Sequence, residues 1–456
     1  MRITPEIQLT LNDVSKAIGE GNKSYGDIPI NAISTDSRTT YEGDLFIPLK
    51  GTNTDGEGFV CEAKAKGAYV ISASYQKADF KTNDTRTALL SLAAYYKELL
   101  KRLRYTIAIT GSTGKTTTKN ILSGLLKEDY KEHHTHENYN NIIGLAHTIL
   151  TAPKNTEILI CELGMNHAGE IALLSRFLKP TLGIITNIGS SHLGNLGTRQ
   201  DIAKAKLEIL CGMQSPKLIG PYGEALIEKN ISYSFSVGVK NADCYISVIQ
   251  ENENGSIFDI RSKNVNINSQ SMHLPGQHIL KDLAASISAI DLLDLDVKNI
   301  SKAISSLTHE LTRGRFITAG SYTVYDDSYS ASPEAVISDF ELSLHWQKEK
   351  VCVLGDMLEL GTNSIAMHSL IGKKALEYGF KKLFAFGRYA YHIASGAYLA
   401  GMPKENIFVN TDISSPEITA RQIKENVDHN SIILVKASHA IHAERLFPFL
   451  GGRIQK

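Results

Sequence analysis

The sequence has no excess of either charge: lysine plus arginine and aspartate plus glutamate both number 48, and the formal net charge is zero. With no net field to draw in nucleic acid or an anionic membrane surface, any anion has to be bound by local geometry. Cysteine is scarce as well. Cys61, Cys161, Cys211, Cys244 and Cys352 are scattered, odd in number and lack a CxxC pair. This argues against a zinc ribbon or a disulfide framework and fits a reducing compartment. No hydrophobic run approaches the length of a membrane span, and the opening MRITPEIQLTLNDVSKAIGE lacks the apolar core of a signal peptide. A cytoplasmic protein with no nucleic-acid or membrane partner is expected.

What is present describes an ordinary globular chain, 42% hydrophobic and 21% charged over 456 residues, long enough for several domains. From about residue 104, short apolar runs alternate with helical patterns: YTIAIT, EILICELG, LGIITNIG, YTVYDDS, KVCVLGD, KLFAFG and SIILVKAS. Such alternation predicts α/β architecture, with parallel sheets covered by helices. Between residues 217 and 275, SYSFSVGV, CYISVIQ and SIFDIRS are shorter and more polar, and read as inserted antiparallel strands at a subdomain edge. Before residue 104 lies a smaller mixed region with strands at DLFIPL and AYVISA, closed by the helix TALLSLAAYYKELLKRL. Breaks after Leu103 and near LTRGR divide the chain into domains 1–103, 104–312 and 313–456.

The most informative segment is YTIAITGSTGKTTTKNILSGLL, which offers a strand, a glycine loop and a helix in that order. Gly111, Ser112, Thr113 and Gly114 allow backbone amides to face an anion at a helix N-terminus. Lys115 then reaches terminal phosphates and Thr116 a magnesium ion. The strict Walker spacing is not met, because Ile109 stands where the first glycine belongs, so the loop is a shortened one. Two later apolar strands end near Glu162 and His192, where doubly wound sheets place ligands. Taken singly, each has a plain reading as a surface carboxylate and a loop histidine. Lys206 follows in DIAKAKLEIL, where residue chemistry alone favours an exposed helical lysine. His133, His134 and His136 read as a solvated loop.

Together these motifs resemble the Mur ligase family over nearly the whole chain. The resemblance rests on TDSRTTYEGDLFIPLKG and NDTRTALLSLA in the first region and on TGSTGKTTT, ENYNNIIG, CELGMNHAGEI, TNIGSSHLGNLG and KAKLEI in the centre. RGR, DDSYSASPEA, LGDMLELG and KASHAIHAE continue it at the end. It implies a small mixed N-terminal nucleotide-sugar domain, a central P-loop ATPase domain and a C-terminal Rossmann-like domain. LGDMLELG, ELGMNHAGEI and NYNNIIG are similar to the branch that joins D-alanyl-D-alanine to UDP-N-acetylmuramoyl-tripeptide. The implied reaction consumes ATP, forms ADP and passes through an acyl phosphate, in a monomeric enzyme.

The resemblance also implies residue roles. Lys115 holds phosphates, Thr116 and Glu162 ligate one magnesium, and His192 and Lys206 serve a second, with Lys206 carrying a carbamate. A carbamate replaces a cation with the oxygen-rich anion that magnesium prefers. Thr117, Asp282, Arg315 and Asp327 are expected at ATP. Ser37 and Arg38 are expected at the uridine nucleotide, and Asn138, Asn140 and Asn141 along the sugar-phosphate and peptide path. Ile279 and Asp282 replace family asparagines, as do Ser330 and Ser332. Ala437 and His439 replace glycine and arginine, and Glu57 a histidine. An ionised Asp282 would present only acceptors to a nucleotide. His439 cannot reproduce the bidentate fork of an arginine.

Overall fold

Residues 1–20, 25–51, 54–308 and 314–451 are described by the structure, a computed structural model. Among them three sheets form, of five, nine and six strands. The first joins Arg2–Ile3, Ile33–Ser34, Leu45–Phe46, Tyr69–Ser72 and Phe80–Lys81 in chain order. Its closing helix, Thr85–Leu99, starts where Asp84 accepts from the amides of Arg86 and Thr87. Leu89, Leu92, Ala93 and Tyr96, at positions i, i+3, i+4 and i+7, form its buried stripe. Two contacts tie this helix to the centre: the Tyr96 hydroxyl donates to Ala152 O at 2.9 Å, and Lys97 Nζ donates to the carbonyl of Leu178.

The strand Tyr105–Thr110 lies inside the nine-stranded sheet, between Ile158–Glu162 and Leu182–Ile185 and parallel to both. All five residues of Ile158–Glu162 are buried, as a parallel strand covered on both faces requires. Alternation feeds two cores: Ala108 packs in one apolar cluster, Ile107 and Ile109 in the other. From Tyr105–Thr110 the chain runs to Glu132–His134 and Ile158–Glu162 on one side, then crosses to Leu182–Ile185 on the other. The carboxyl ends flanking this reversal are where a doubly wound sheet leaves a crevice.

Two expectations need correction. Tyr233–Val237 and the following Cys244–Asn252 are parallel continuations of the central sheet, and antiparallel pairing enters only with Gly255–Arg261, which pairs in that way with both Cys244–Asn252 and Asn266–Met272. Residue periodicity reports which face is buried but not strand direction, so no separate subdomain follows from it. His133 and His134 belong to the edge strand Glu132–His134, not to a solvated loop, and His133 Nε2 lies 2.9 Å from Thr148 O. His136 is exposed.

The C-terminal sheet opens with the antiparallel hairpin of Arg315–Ala319 and Tyr322–Asp327. Ile432–Lys436, Lys350–Gly355, Leu383–Phe386 and Ile407–Asn410 extend it in parallel. Their carboxyl ends face the central sheet's crevice through Asp327 and Lys436. The expected boundary between residues 312 and 313 lies outside the described residues.

Candidate active site

The segment after Tyr105–Thr110 turns through Gly111 at φ 155° and Gly114 at φ 80° into the helix Lys115–Leu126. Neither glycine leaves room for a side chain. A Cβ on Gly111 would stand 1.8 Å from Thr186 Oγ1, and one on Gly114 would stand 2.4 Å from Asp282 Oδ1. Thr186 and Asn187, past the end of the neighbouring strand, hold the loop open. Asn187 Oδ1 accepts from the amides of Ser112 and Thr113 at 2.9 Å each, while Asn187 Nδ2 donates to Thr113 Oγ1 at 2.6 Å. Lys115 Nζ lies 2.8 Å from Gly111 O, folded back along the loop.

Glu162 is wholly buried beside this loop. Its two oxygens accept from Thr116 Oγ1 at 2.9 Å and Asn140 Nδ2 at 2.8 Å. Thr116 and Glu162 thus offer the oxygen donors magnesium prefers. Among the described residues no group of three or more His, Cys, Asp or Glu could hold a metal by itself. Lys206 is 1% exposed, far from the exposed helical lysine of the plain reading. Burial and the nearby Lys115 cation push its ammonium well below the ordinary lysine value. His192, at φ 67°, has Nδ1 2.5 Å from Glu359 Oε2 of the C-terminal part.

A cavity of about 550 Å³ runs from the phosphate loop to the C-terminal sheet. Its lining includes Ser112, Thr113, Gly114, Lys115, Thr116 and Thr117 on one side and Asp327, Asp339 and Lys436 on the other. Lys436, 3% exposed, pairs with Asp327 and, at 3.0 Å, with Asp339. Burial drives the Asp339 carboxyl up from the usual range, and also lowers His278 to about 4, keeping that ring neutral. Lys436, Asp339, His278, Thr186 and Asn187 were not singled out from the sequence. Only Asn187 had a local signal, in the TNIG that directly follows an apolar strand.

Asp282 also lines the cavity, and its Oδ1 accepts from Thr118 Oγ1 at 3.0 Å. Burial raises its carboxyl from 3.8 to about 8, with the Thr118 hydrogen bond and Lys281 opposing. At neutral pH the group is therefore an uncharged acid, with a donor and an acceptor as an amide has. Because it ionises only as pH rises through about 8, nucleotide affinity is expected to fall above that point. Calorimetric titration with ATP should show about tenfold weaker binding at about pH 9 than at about pH 7, with a flat profile for Asp282→Asn. A flat profile for the unaltered chain would contradict this.

Other expected residues are distributed differently. Arg315 is exposed at the start of its strand and does not line the cavity. Ser37 and Arg38 lie beside the first sheet, where Ser37 Oγ donates to Glu62 at 3.1 Å and Arg38 pairs with Asp36 at 2.8 Å. Asn138 is exposed, Asn140 supports Glu162, and Asn141 caps the helix Ile142–Leu150 by accepting from Gly144 N. Ile279 and Ser330 line the cavity. Ser332 caps the helix Pro333–Ser343. Ala437 fits its methyl against Gly355, and His439 stacks on Tyr329 with centroids 4.7 Å apart. Glu57 accepts from Ala73 N at 2.8 Å and Ser74 Oγ at 2.9 Å.

A phosphate-binding loop, a buried carboxylate on its threonine and a cavity walled by a second α/β sheet define a nucleotide-triphosphate-dependent enzyme. A family model described as the Mur ligase middle domain matches residues 109–290. The chain is 34% identical to the UDP-N-acetylmuramoyl-tripeptide–D-alanyl-D-alanine ligase of Bacillus subtilis (strain 168), covering 93% of this chain and 94% of that one. The same ligase from Synechocystis is 30% identical, over 91% and 90% of the two chains. The MurF crystal structure from Acinetobacter baumannii superposes with a TM-score of 0.87 at 27% identity, covering 98% and 99%. MurF from Thermotoga maritima in complex with ADP gives 0.79 at 26% identity, over 92% and 96%. The chain belongs to the Mur ligase family, in the branch of the UDP-N-acetylmuramoyl-tripeptide–D-alanyl-D-alanine ligases.

Proposed function

We propose that this chain catalyses ATP-dependent addition of D-alanyl-D-alanine to UDP-N-acetylmuramoyl-tripeptide, forming ADP, phosphate and the pentapeptide precursor of peptidoglycan. The observation that carries this reading is convergence: residues 112–114, Lys115 and Thr116, whose hydroxyl donates to the buried Glu162, line one cavity shared with the C-terminal sheet. The tripeptide carboxylate attacks the γ-phosphorus of ATP and ADP leaves; the dipeptide amine then attacks the carbonyl carbon of the acyl phosphate, loses a proton and expels inorganic phosphate as the amide forms. Loop amides and Lys115 orient the triphosphate and balance the charge that builds on the transferring group. Thr116 and Glu162 would hold one magnesium ion, with His192 and a carbamylated Lys206 at a second, and magnesium supplies further charge neutralisation. The C-terminal wall keeps water away from the acyl phosphate.

Among the described residues no helix is long and apolar enough to cross a membrane, and we place the enzyme in the cytoplasm with its nucleotide-linked substrate. Domains 1–103 and 104–312 would bind the nucleotide sugar and ATP, and 313–456, the Rossmann-like ligase domain, would reach the ATP from the other side. Ser37 and Arg38 are assigned to the uridine nucleotide. The test supplies the chain with ATP, magnesium and UDP-N-acetylmuramoyl-tripeptide containing either diaminopimelate or lysine. Phosphate release that requires D-alanyl-D-alanine is expected. Release at an equal rate without the dipeptide would identify a simple nucleotide hydrolase and overturn the reading.

A further inference from the structure

The loop 187–194 is gripped from both sides. Toward the nucleotide site, Asn187 holds the amides of Ser112 and Thr113, and Gly189 N donates to Ser112 Oγ at 2.9 Å. From the C-terminal part, Glu334 accepts from Ser190 N at 2.8 Å and Ser190 Oγ at 2.9 Å. A second carboxylate, Glu359, has Oε2 2.5 Å from His192 Nδ1, a buried nitrogen that meets it as an ion-pair contact outside aligned hydrogen-bond geometry, and its backbone carbonyl accepts from Gly194 N at 2.8 Å. The backbones then touch. A Cβ on Gly361 would lie 2.5 Å from Gly194 Cα, and one on Gly194 would lie 2.7 Å from Gly361 N. Two glycines are therefore required for this approach, one from each partner segment.

Both members of the His192–Glu359 pair adopt left-handed backbone, at φ 67° and φ 64°. Non-glycine residues enter this region at a cost and persist there when surrounding contacts over-determine them. Here those contacts are the carbonyl–amide bond and the glycine pair just described. Glu359 is half-exposed, and its carboxylate lies against the histidine.

We propose that Glu359 is a positioning residue for the ligase reaction: it accepts the Nδ1 proton of His192 and so leaves the Nε2 lone pair free for a divalent cation. The role of His192 at the cation rests on the ligase reading above. Because a histidine's free nitrogen is selected by the hydrogen bond at its other nitrogen, the carboxylate sets the tautomer as well as the ring's orientation. Since Glu359 arrives with the segment 359–361, His192 is aligned only when the C-terminal part is docked on 190–194. Docking and completion of the cation site become one event.

The full-length protein labelled with nitrogen-15 at histidine tests this by long-range proton–nitrogen NMR at about pH 8.5, well above the ordinary histidine value of about 6.5. The His192 signals are identified by their loss in His192→Asn. The expected result is an Nδ1–H tautomer in the unaltered chain, its replacement by Nε2–H in Glu359→Ala, and its retention in Glu359→Gln, whose amide oxygen still accepts. Other histidine signals report whether the fold is kept. Magnesium half-saturation should rise about 10- to 100-fold in Glu359→Ala and much less in Glu359→Gln. If Glu359→Ala does not fold, Gly361→Ala, which displaces the same segment, should cause the same tautomer change. An Nε2–H tautomer in the unaltered chain, or an unchanged one in the folded variant, overturns the proposal. The tautomer is read without turnover, so failure of the ligase reading would be seen separately, in the phosphate-release assay.

Discussion

Lys115→Ala is expected to lower peptide coupling about a thousandfold, the scale on which removal of a preorganised charge-stabilising donor acts. The side chain begins the helix Lys115–Leu126 and its Nζ lies against Gly111 O, on the loop where the triphosphate binds. A second consequence follows from Lys206, whose ammonium is disfavoured first by burial and then by the Lys115 charge. Removing that charge moves Lys206 back toward its ordinary value and reduces the neutral amine available to carbon dioxide. Steady-state coupling assays with a thermal melt decide the matter: a large loss of turnover with the transition in place is expected. Undiminished turnover would contradict the assignment.

Lys206→Met should separate stability from activity. A wholly buried lysine keeps an expensive polar group in the core, and a methionine of similar length removes it. The melting transition should rise, as it does when buried ions give way to well-packed apolar residues. Under the carbamate proposal, coupling should fall by about a thousandfold, equivalent to about 4 kcal/mol of transition-state stabilisation. Carbon-13 bicarbonate gives an independent reading. A carbamate signal present in the unaltered chain and absent from Lys206→Met is expected; its absence from both would remove the carbamate from the mechanism.

The phosphate loop was legible because everything it needs is contiguous: an apolar strand, glycines at 111 and 114, and a helix. Glu162 and His192 could be placed at strand ends, yet strand ends alone do not say that Glu162 is wholly buried on Thr116. Lys206 shows the limit most clearly. Its surroundings in DIAKAKLEIL read as a solvated helix face, and only the tertiary packing reveals a buried amine. Glu334 and Glu359 act across the interface between sheets, with Ser190 144 residues away in the first case, while Asp339 and Lys436 meet inside the C-terminal part across a long stretch of chain. No local pattern records such pairs. The parallel direction of Tyr233–Val237 was hidden for a related reason, since the residues that choose it lie in the neighbouring strands.

The most direct measurement labels the tripeptide's terminal carboxylate with oxygen-18 and follows the label through one round of coupling with ATP, magnesium and D-alanyl-D-alanine. Attack of that carboxylate on the γ-phosphorus moves one labelled oxygen into the released phosphate, and this transfer is the predicted result. Peptide formation accompanied by phosphate carrying no label would contradict activation through an acyl phosphate.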